Sequence, residues 1–242
     1  MAGRRKKTAK GRRRRAAPVG VWRRLRRWLL WSALALVAVF ALSLLAYRWV
    51  DPPATIYTWQ EERRLGAISR EPVPMARIAP VMARSAVAAE DANFCLHWGF
   101  DMAAIRDAIA DGSVRGASTV SQQVVKNVWL WHGRNWARKA LEAAITPLME
   151  AAWSKRRVLE VYLNIAEFDE GVFGVEAAAR HYFGVAAADL SAVQAARLAA
   201  VLPDPKGRSA SRPSAALRQR AAAIVDGAAT IARDGRAACF ED

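Results

Sequence analysis

The chain has 242 residues, enough for one sizeable domain with appendages and too few to require two. Its formal charge of +15 is unevenly placed: residues 1–27 carry 13 Lys or Arg and no acid, leaving 24 basic against 22 acidic residues for the rest. A nucleic-acid-binding domain spreads its cations over a folded face, so this distribution argues against one. Likewise His97, His132 and His181 share no metal-ligand spacing with Cys95 and Cys239, which argues against structural zinc.

The basic tail, residues 1–27, abuts "WLLWSALALVAVFALSLLAY", residues 28–47, which holds no charge. Twenty helical residues rise about 30 Å, the thickness of the hydrocarbon core. The run exceeds the ~7–15 residues of a signal-peptide core, and no convincing cleavage site follows it. It therefore predicts a permanent single-pass anchor. Trp28 and Trp31 at one end, and Tyr47 and Trp49 at the other, suit the two interfacial belts. The flank asymmetry predicts a cytoplasmic N-terminus in the inner membrane, with residues 50–242 in the periplasm. In that oxidising compartment Cys95 and Cys239 could pair, but nothing in their positions says that they meet. Residues 48–74 mix prolines with isolated apolar residues, the pattern of a linker that packs only locally.

Residues 75–235 read as one mainly α domain, Ala-rich from Ser85 and nearly free of strand signals, with a short tail at 236–242. In "AAEDANFCLHWGFD", residues 88–101, helical spacing puts Glu90, Phe94 and His97 on one face behind a small apolar surface. An unpaired buried carboxylate is costly, so Glu90 is either paired or engaged in proton chemistry. Asp101 can cap a helix that Gly112 closes, Ser154 can cap "KRRVLEVYLN", and Ser191 with Gln194 forms a capping box before a helix that Pro203 and Pro205 end.

Two further stretches carry chemistry. In "RGASTVSQQVVKNVWLW", residues 115–131, a helix starting at Ser118 or Thr119 sets Val120, Val124, Val128 and Trp131 in one arc. Ser118, Thr119, Gln122 and Lys126 fall opposite, and hydroxyls, amides and an ammonium near a helix N-terminus suit phosphate and sugar. In "RKALE", residues 138–142, Arg138 and Glu142 form an i, i+4 pair that in a solvated helix is worth only about 0.3–0.5 kcal/mol. With Leu141, Ile145, Leu148 and Ala152 on the apolar stripe, Glu142 lies at its edge, free to face a cleft or water.

Taken together, "EDANFCLHWGFD", "GASTVSQQVVKN", "RKALE", "SKRRVLEVYLN" and "GVFGVEAAARHYFG" occur in the order and approximate spacing of the five motifs of the peptidoglycan glycosyltransferases, glycosyltransferase family 51. Over roughly residues 75–206 the chain resembles the monofunctional form, which has this domain without a penicillin-binding transpeptidase behind it. Two departures stand out: Pro147 interrupts a segment expected to continue as helix, and "LPDPKGRS" lacks an aromatic expected near the domain's end.

The resemblance implies a two-lobed, lysozyme-like glycosyltransferase domain preceded by a single transmembrane helix. Its substrates would be lipid II and the growing glycan chain, and its other partners the membrane and divisome or elongation proteins. Glu90 would be the general base toward the acceptor 4-hydroxyl, with its pKa raised by partial burial. Glu142 would be the second catalytic glutamate, orienting Arg138 or Lys139 or sharing a divalent cation, Mg2+ or Mn2+. Lys126 and Arg138 match the phosphate contacts, and Ser118, Gln122, Gln123, Asn127, Lys155 and Asn164 match further sugar or phosphate contacts. Asp91, Phe94, His97, Gly99, Tyr162 and Phe183 would be structural. Trp129, Trp131 and Trp136 are open to two readings, core packing or a hydrophobic jaw in the membrane interface. The alternatives are a lysozyme-like lytic transglycosylase, which gains nothing from the Lys126 and Arg138 pair, and a membrane-tethered scaffold, which needs neither glutamate.

Overall fold

The computed structural model describes residues 19–110, 118–133 and 135–241. The chain divides into two compact units, residues 1–43 and 44–242. Helix α1 (Val19–Ala46) supplies the described part of the first. Its stretch Val21–Ala46 is long and apolar enough to cross a membrane, and Trp28, Trp31 and Leu36 are all exposed on it. An all-round apolar helix without protein around it suits lipid contact. The helix begins ahead of Trp28, so Arg23, Arg24, Arg26 and Arg27 continue the helix of the apolar run.

The second unit is mainly helical. In chain order it contains α2 (Ile56–Leu65), α3 (Pro80–Glu90), α4 (Met102–Ala110), α5 (Val120–Trp129), α6 (Trp136–Ala152) and α7 (Lys155–Ile165). After these come α8 (Val175–Phe183), α9 (Ala192–Val201), α10 (Ala215–Arg233) and the single turn α11 (Ala238–Glu241). The expected caps of α4, α7 and α9 are made: Asp101 accepts from the amides of Ala103 and Ala104, Ser154 from Arg157, and Ser191 forms the capping box with Gln194. Gly112, expected to close α4, lies outside the described residues. Pro147 does not interrupt α6, which runs through it to Ala152. Only the one backbone bond that its missing N–H would have given to Ala143 is forgone.

Two helix groups build the core. In one, α3, α9 and α10 pack through Ala83, Ala86, Ala195, Ala199, Ala221 and Ala228, all nearly inaccessible. Small side chains let these helices approach closely; a Cβ on Gly227 would stand 3.2 Å from that of Ala88. In the other, α5 lies against α6 and α7, burying Val120, Val124, Val125, Met149, Leu159 and Tyr162. Tertiary burial holds the β-branched valines of α5 in a helix despite their modest propensity.

Residues 48–74 are not a linker. Thr55 caps α2 with a full capping box, Tyr57 donates to Glu167, and buried Glu61 pairs with Arg64 at 2.5 Å and Lys206 at 3.0 Å. Beyond α2, β1 (Ser69–Arg70) pairs in parallel with β3 (Val172–Phe173), which pairs antiparallel with β2 (Glu167–Asp169), giving the sheet order β1-β3-β2. The strands are two or three residues long, too short to show alternation in the sequence. The segment packs through polar partners distant in sequence, which isolated apolar residues do not reveal.

The C-terminal residues are not a free tail either. Cys239 of α11 is disulfide-bonded to Cys95, Phe240 is buried, and Glu241 pairs with Arg84 at 2.6 Å. On the chain-entropy account, a crosslink closing a loop of 144 residues disfavours the unfolded state by up to about 5 kcal/mol.

Candidate active site

Glu90 is the last residue of α3, so it does not share one continuous helix with Phe94 and His97. Asp91 leaves the helix at φ −162°, and Phe94 begins a separate short 3-10 turn. The break has a cause. The Asp91 carboxylate turns inward to accept from the Val120 amide at 3.0 Å and to bond His97 Nε2 at 2.8 Å, tying the end of α3 to the start of α5. Gly99 completes the joint. Its φ is +83°, its carbonyl accepts from the Thr119 hydroxyl at 2.7 Å, and a Cβ there would lie 2.4 Å from Thr146 Cγ2. Asp91, Phe94, His97, Gly99 and Tyr162 thus all serve the frame, while Phe183 packs at the edge of the core.

With Asp91 turned inward, Glu90 faces a cleft of about 280 Å³ lined also by Asn93, Asp101, Ala104, Ser118 and Thr119. One Glu90 oxygen accepts from Gln123 Nε2 of α5 at 2.9 Å. Burial pushes the Glu90 pKa upward and the nearby Asp91 adds to it; the Gln123 hydrogen bond and the charges of Arg220 and Lys126 oppose it. A carboxyl with a raised pKa and a single amide contact retains lone pairs for a further proton.

Glu142 has a different environment. It is 2% exposed, and its two oxygens accept from Arg138 Nη1 and from Lys139 Nζ, each at 2.5 Å. Arg138 is fixed from its other side by the carbonyl of Gly133 at 3.0 Å, and Lys139 reaches across to Ser118 Oγ at 3.1 Å. The expected stripe of α6 holds only in part: Ile145 and Ala152 pack against the core, but Leu141 and Leu148 do not. Glu142, Thr146, Met149 and Glu150 are buried while Leu141 and Leu148 are about half exposed, because buried ion pairs and the Thr146 hydroxyl replace apolar contacts on the inner face.

Lys126 lies within electrostatic reach of both carboxylates. Burial lowers its pKa, the charges of Arg138 and Lys139 lower it further, and both Glu142 and Glu90 act to raise it. The same positive field reaches His132, which stacks on Tyr57 at 3.8 Å; burial first, then the Lys126 and Arg138 charges, hold its pKa down to about 4. The described residues contain no group of three His, Cys, Asp or Glu side chains placed to hold a metal ion. In the structure the Glu142 oxygens are occupied by Arg138 and Lys139.

The other sequence-derived candidates divide. Ser118 and Gln123 lie at the cleft, and the Asn127 side-chain oxygen is buried with no hydrogen-bond partner among the described residues. Gln122 is not turned to the cleft: it is 4% exposed, and its carbonyl caps the Thr119 amide at 3.1 Å. Lys155 pairs with buried Glu150 at 2.8 Å and covers the Phe94 ring at 4.4 Å. Asn164 is 1% exposed and clamps both backbone groups of Val73, at 3.0 and 2.8 Å. The resemblance assigns all three to sugar or phosphate; in the structure their polar atoms are held by protein partners, as buried polar groups generally are. Sequence spacing names Lys139 only as a partner of Glu142 and does not name Arg220. The i, i+3 spacing of Lys139 and Glu142 was a usable signal, whereas Arg220 stands 130 residues beyond Glu90 with no local pattern to mark it.

A family model described as Transglycosylase matches residues 59–229, well over half of the chain. The chain belongs to the transglycosylase family. The domain of this family is lysozyme-like, as expected, and the matched residues take in part of α2, which again sets α2 inside the domain. A protein named biosynthetic peptidoglycan transglycosylase from Jannaschia sp. (strain CCS1) is 65% identical over 216 residues, covering 89% of this chain and 90% of that relative. A protein of the same name from Rhodospirillum centenum is 48% identical, covering 88% and 96% of the two chains, and one from Ectopseudomonas mendocina is 49% identical, covering 84% and 86%. Within this transglycosylase Ser118 lines the Glu90 cleft and also accepts from Lys139, which shares Glu142 with Arg138.

Proposed function

We propose that Glu90 and the Lys126, Arg138 and Lys139 cluster are the two halves of one glycosyl-transfer site. The chain is a peptidoglycan glycosyltransferase of cell-wall synthesis, acting on lipid II and the growing glycan. The observation that carries the division of roles is the contrast between a Glu90 carboxylate held by one amide and a Glu142 carboxylate held by two cations.

A sugar hydroxyl is a poor nucleophile at neutral pH. In the reading offered here Glu90 takes the proton of the acceptor 4-hydroxyl as that oxygen bonds to the anomeric carbon of the donor. The bond from that carbon to the pyrophosphate breaks on the opposite face, so the α-linked donor gives a β-1,4 product with inversion. The leaving undecaprenyl pyrophosphate needs positive charge more than a proton, and Lys126, Arg138 and Lys139 supply it from fixed positions. Glu142 keeps two of those cations in place while no phosphate is present. A divalent cation, Mg2+ or Mn2+, is proposed only as a companion of the pyrophosphate it neutralises, because both Glu142 oxygens already hold protein cations.

The α1 span supports membrane anchoring beside a lipid-borne substrate. The 13-to-0 charge asymmetry supports a cytoplasmic N-terminus and a catalytic domain in the periplasm, at the inner membrane. Divisome or elongation proteins are the partners we propose, since lipid II is consumed where wall is made. Feeding the purified chain labelled lipid II and, in a parallel reaction, preformed glycan tests the reading. Long glycan strands are expected; shortened fragments from preformed glycan would indicate a hydrolase, and no turnover a scaffold.

A further inference from the structure

The C-terminal segment reaches the backbone that carries Glu90. Arg220, on α10, directs Nη2 to the carbonyl of Ala89 at 3.4 Å, one residue before the base. Arg236, after α10, gives Nη1 to the carbonyl of Ala92 at 3.0 Å and is itself held by Asp234 at 2.7 Å. Beyond them the disulfide from Cys95 to Cys239 and the Phe94 and Phe240 rings, 6.4 Å apart, secure the next residues. The last carbonyls of a helix lack intrahelical partners and carry the negative end of its dipole, so cations there are favoured. The two arginines differ in one respect. Arg236 is neutralised by Asp234, whereas no carboxylate is in ion-pair contact with Arg220 among the described residues, and its charge acts on Glu90.

We propose that Arg220 is a positioning residue for glycosyl transfer: from α10 it clamps the carbonyl end of α3 and sets a positive charge beside the base. The proposal rests on the reading of Glu90 as that base. Glu90 is faced by Gln123 and Lys126 from α5, by Arg220 from α10 and by Asp91 next to it, and the buried Tyr162 of α7 lies within its electrostatic reach. Of these, Gln123, Arg220 and Lys126 favour the carboxylate and Asp91 disfavours it. A base works deprotonated. Removing Arg220 therefore lets the Glu90 pKa rise further, lowers the active fraction at neutral and acidic pH, and restores it as pH rises.

The test is the pH dependence of kcat and KM for lipid II in the full-length chain, for wild type, Arg220→Gln, Arg220→Lys and Glu90→Gln. On the acid limb, below the Glu90 pKa, a rise of about one unit is a tenfold loss of active fraction, so Arg220→Gln should lose up to about tenfold in kcat there, with KM nearly unchanged. Its acid limb should move to higher pH, its activity should recover on the alkaline side, and Arg220→Lys should restore most of both. An equal loss at every pH with a lower Tm would show a purely structural residue and overturn the proposal. A raised KM with the acid limb in place would make Arg220 a substrate contact, and wild-type behaviour would leave it no role; either result also overturns it. A Glu90→Gln protein that kept the wild-type acid limb would instead remove Glu90 as the base.

Discussion

Glu90 and Glu142 are the two glutamates of the proposed site, and their surroundings separate them. Glu90 ends a helix of small residues, half-buried, with a single neutral donor on one oxygen. Glu142 is buried in mid-helix with a guanidinium on one oxygen and an ammonium on the other. Both Glu142 oxygens are occupied by cations, whereas Glu90 is only partly paired and its burial raises its pKa.

The comparison breaks most sharply at Glu90. Glu90→Gln keeps the shape of the side chain and its contact with Gln123 but removes the base, so polymerisation of lipid II should fall by the ~10²–10⁴ typical of a general base. Binding of the phosphoglycolipid inhibitor moenomycin, which engages the family's phosphate contacts, should be retained. Polymer yield within about threefold of wild type would show that Glu90 is not the base.

Changes on the cationic side should be smaller in turnover but should also reach binding. Arg138→Ala removes a charge-assisted contact to phosphate, worth about 1.5–3 kcal/mol, and should cost roughly 10- to 100-fold in both turnover and inhibitor affinity. Glu142→Gln leaves Arg138 and Lys139 facing Lys126 without their counter-charge. It should lose most of its activity and also lower Tm, because breaking a buried pair costs about 3–5 kcal/mol. An unchanged inhibitor affinity for Arg138→Ala would sever the cation cluster from phosphate recognition.

Much of this site was legible because its chemistry is local. Glu90, the Thr119 helix start, Lys126 and the Arg138 and Glu142 pair each fall inside a short recognisable stretch, although the helix faces read there for Glu90 and for α6 did not hold in full. What stayed hidden was long-range. Tyr57 finds Glu167, Glu61 finds Lys206, Asn164 finds Val73 and Cys95 finds Cys239, and no periodicity encodes such partners. The same limit explains Gln122, Lys155 and Asn164. Side chains able to bind sugar or phosphate are equally able to satisfy buried backbone groups and charges, and only the fold decides which they do.

The smallest expected effect separates the two readings of the tryptophans, which the structure divides between them. Trp129 is half-buried and packs on Trp153 at 5.5 Å and Tyr47 at 6.2 Å, whereas Trp136, at the start of α6, is 89% exposed. It is joined in exposure by Leu141 and Leu148 of the same helix, and elsewhere by Leu96, Trp98, Met102 and Ile109. An exposed indole adds nothing to the folded core, but at a membrane interface its ring finds the depth that Trp prefers. Trp136→Ser should therefore leave Tm unchanged and weaken several-fold the binding of residues 44–242 to phospholipid vesicles. Trp129→Ser should do the opposite, costing about 1–3 kcal/mol of stability, less than the ~3–5 of a fully buried aromatic, with little change in vesicle binding. A Trp136→Ser protein with a markedly lower Tm would return that residue to the core, and equal vesicle binding by both variants would remove the tryptophans from the membrane contact.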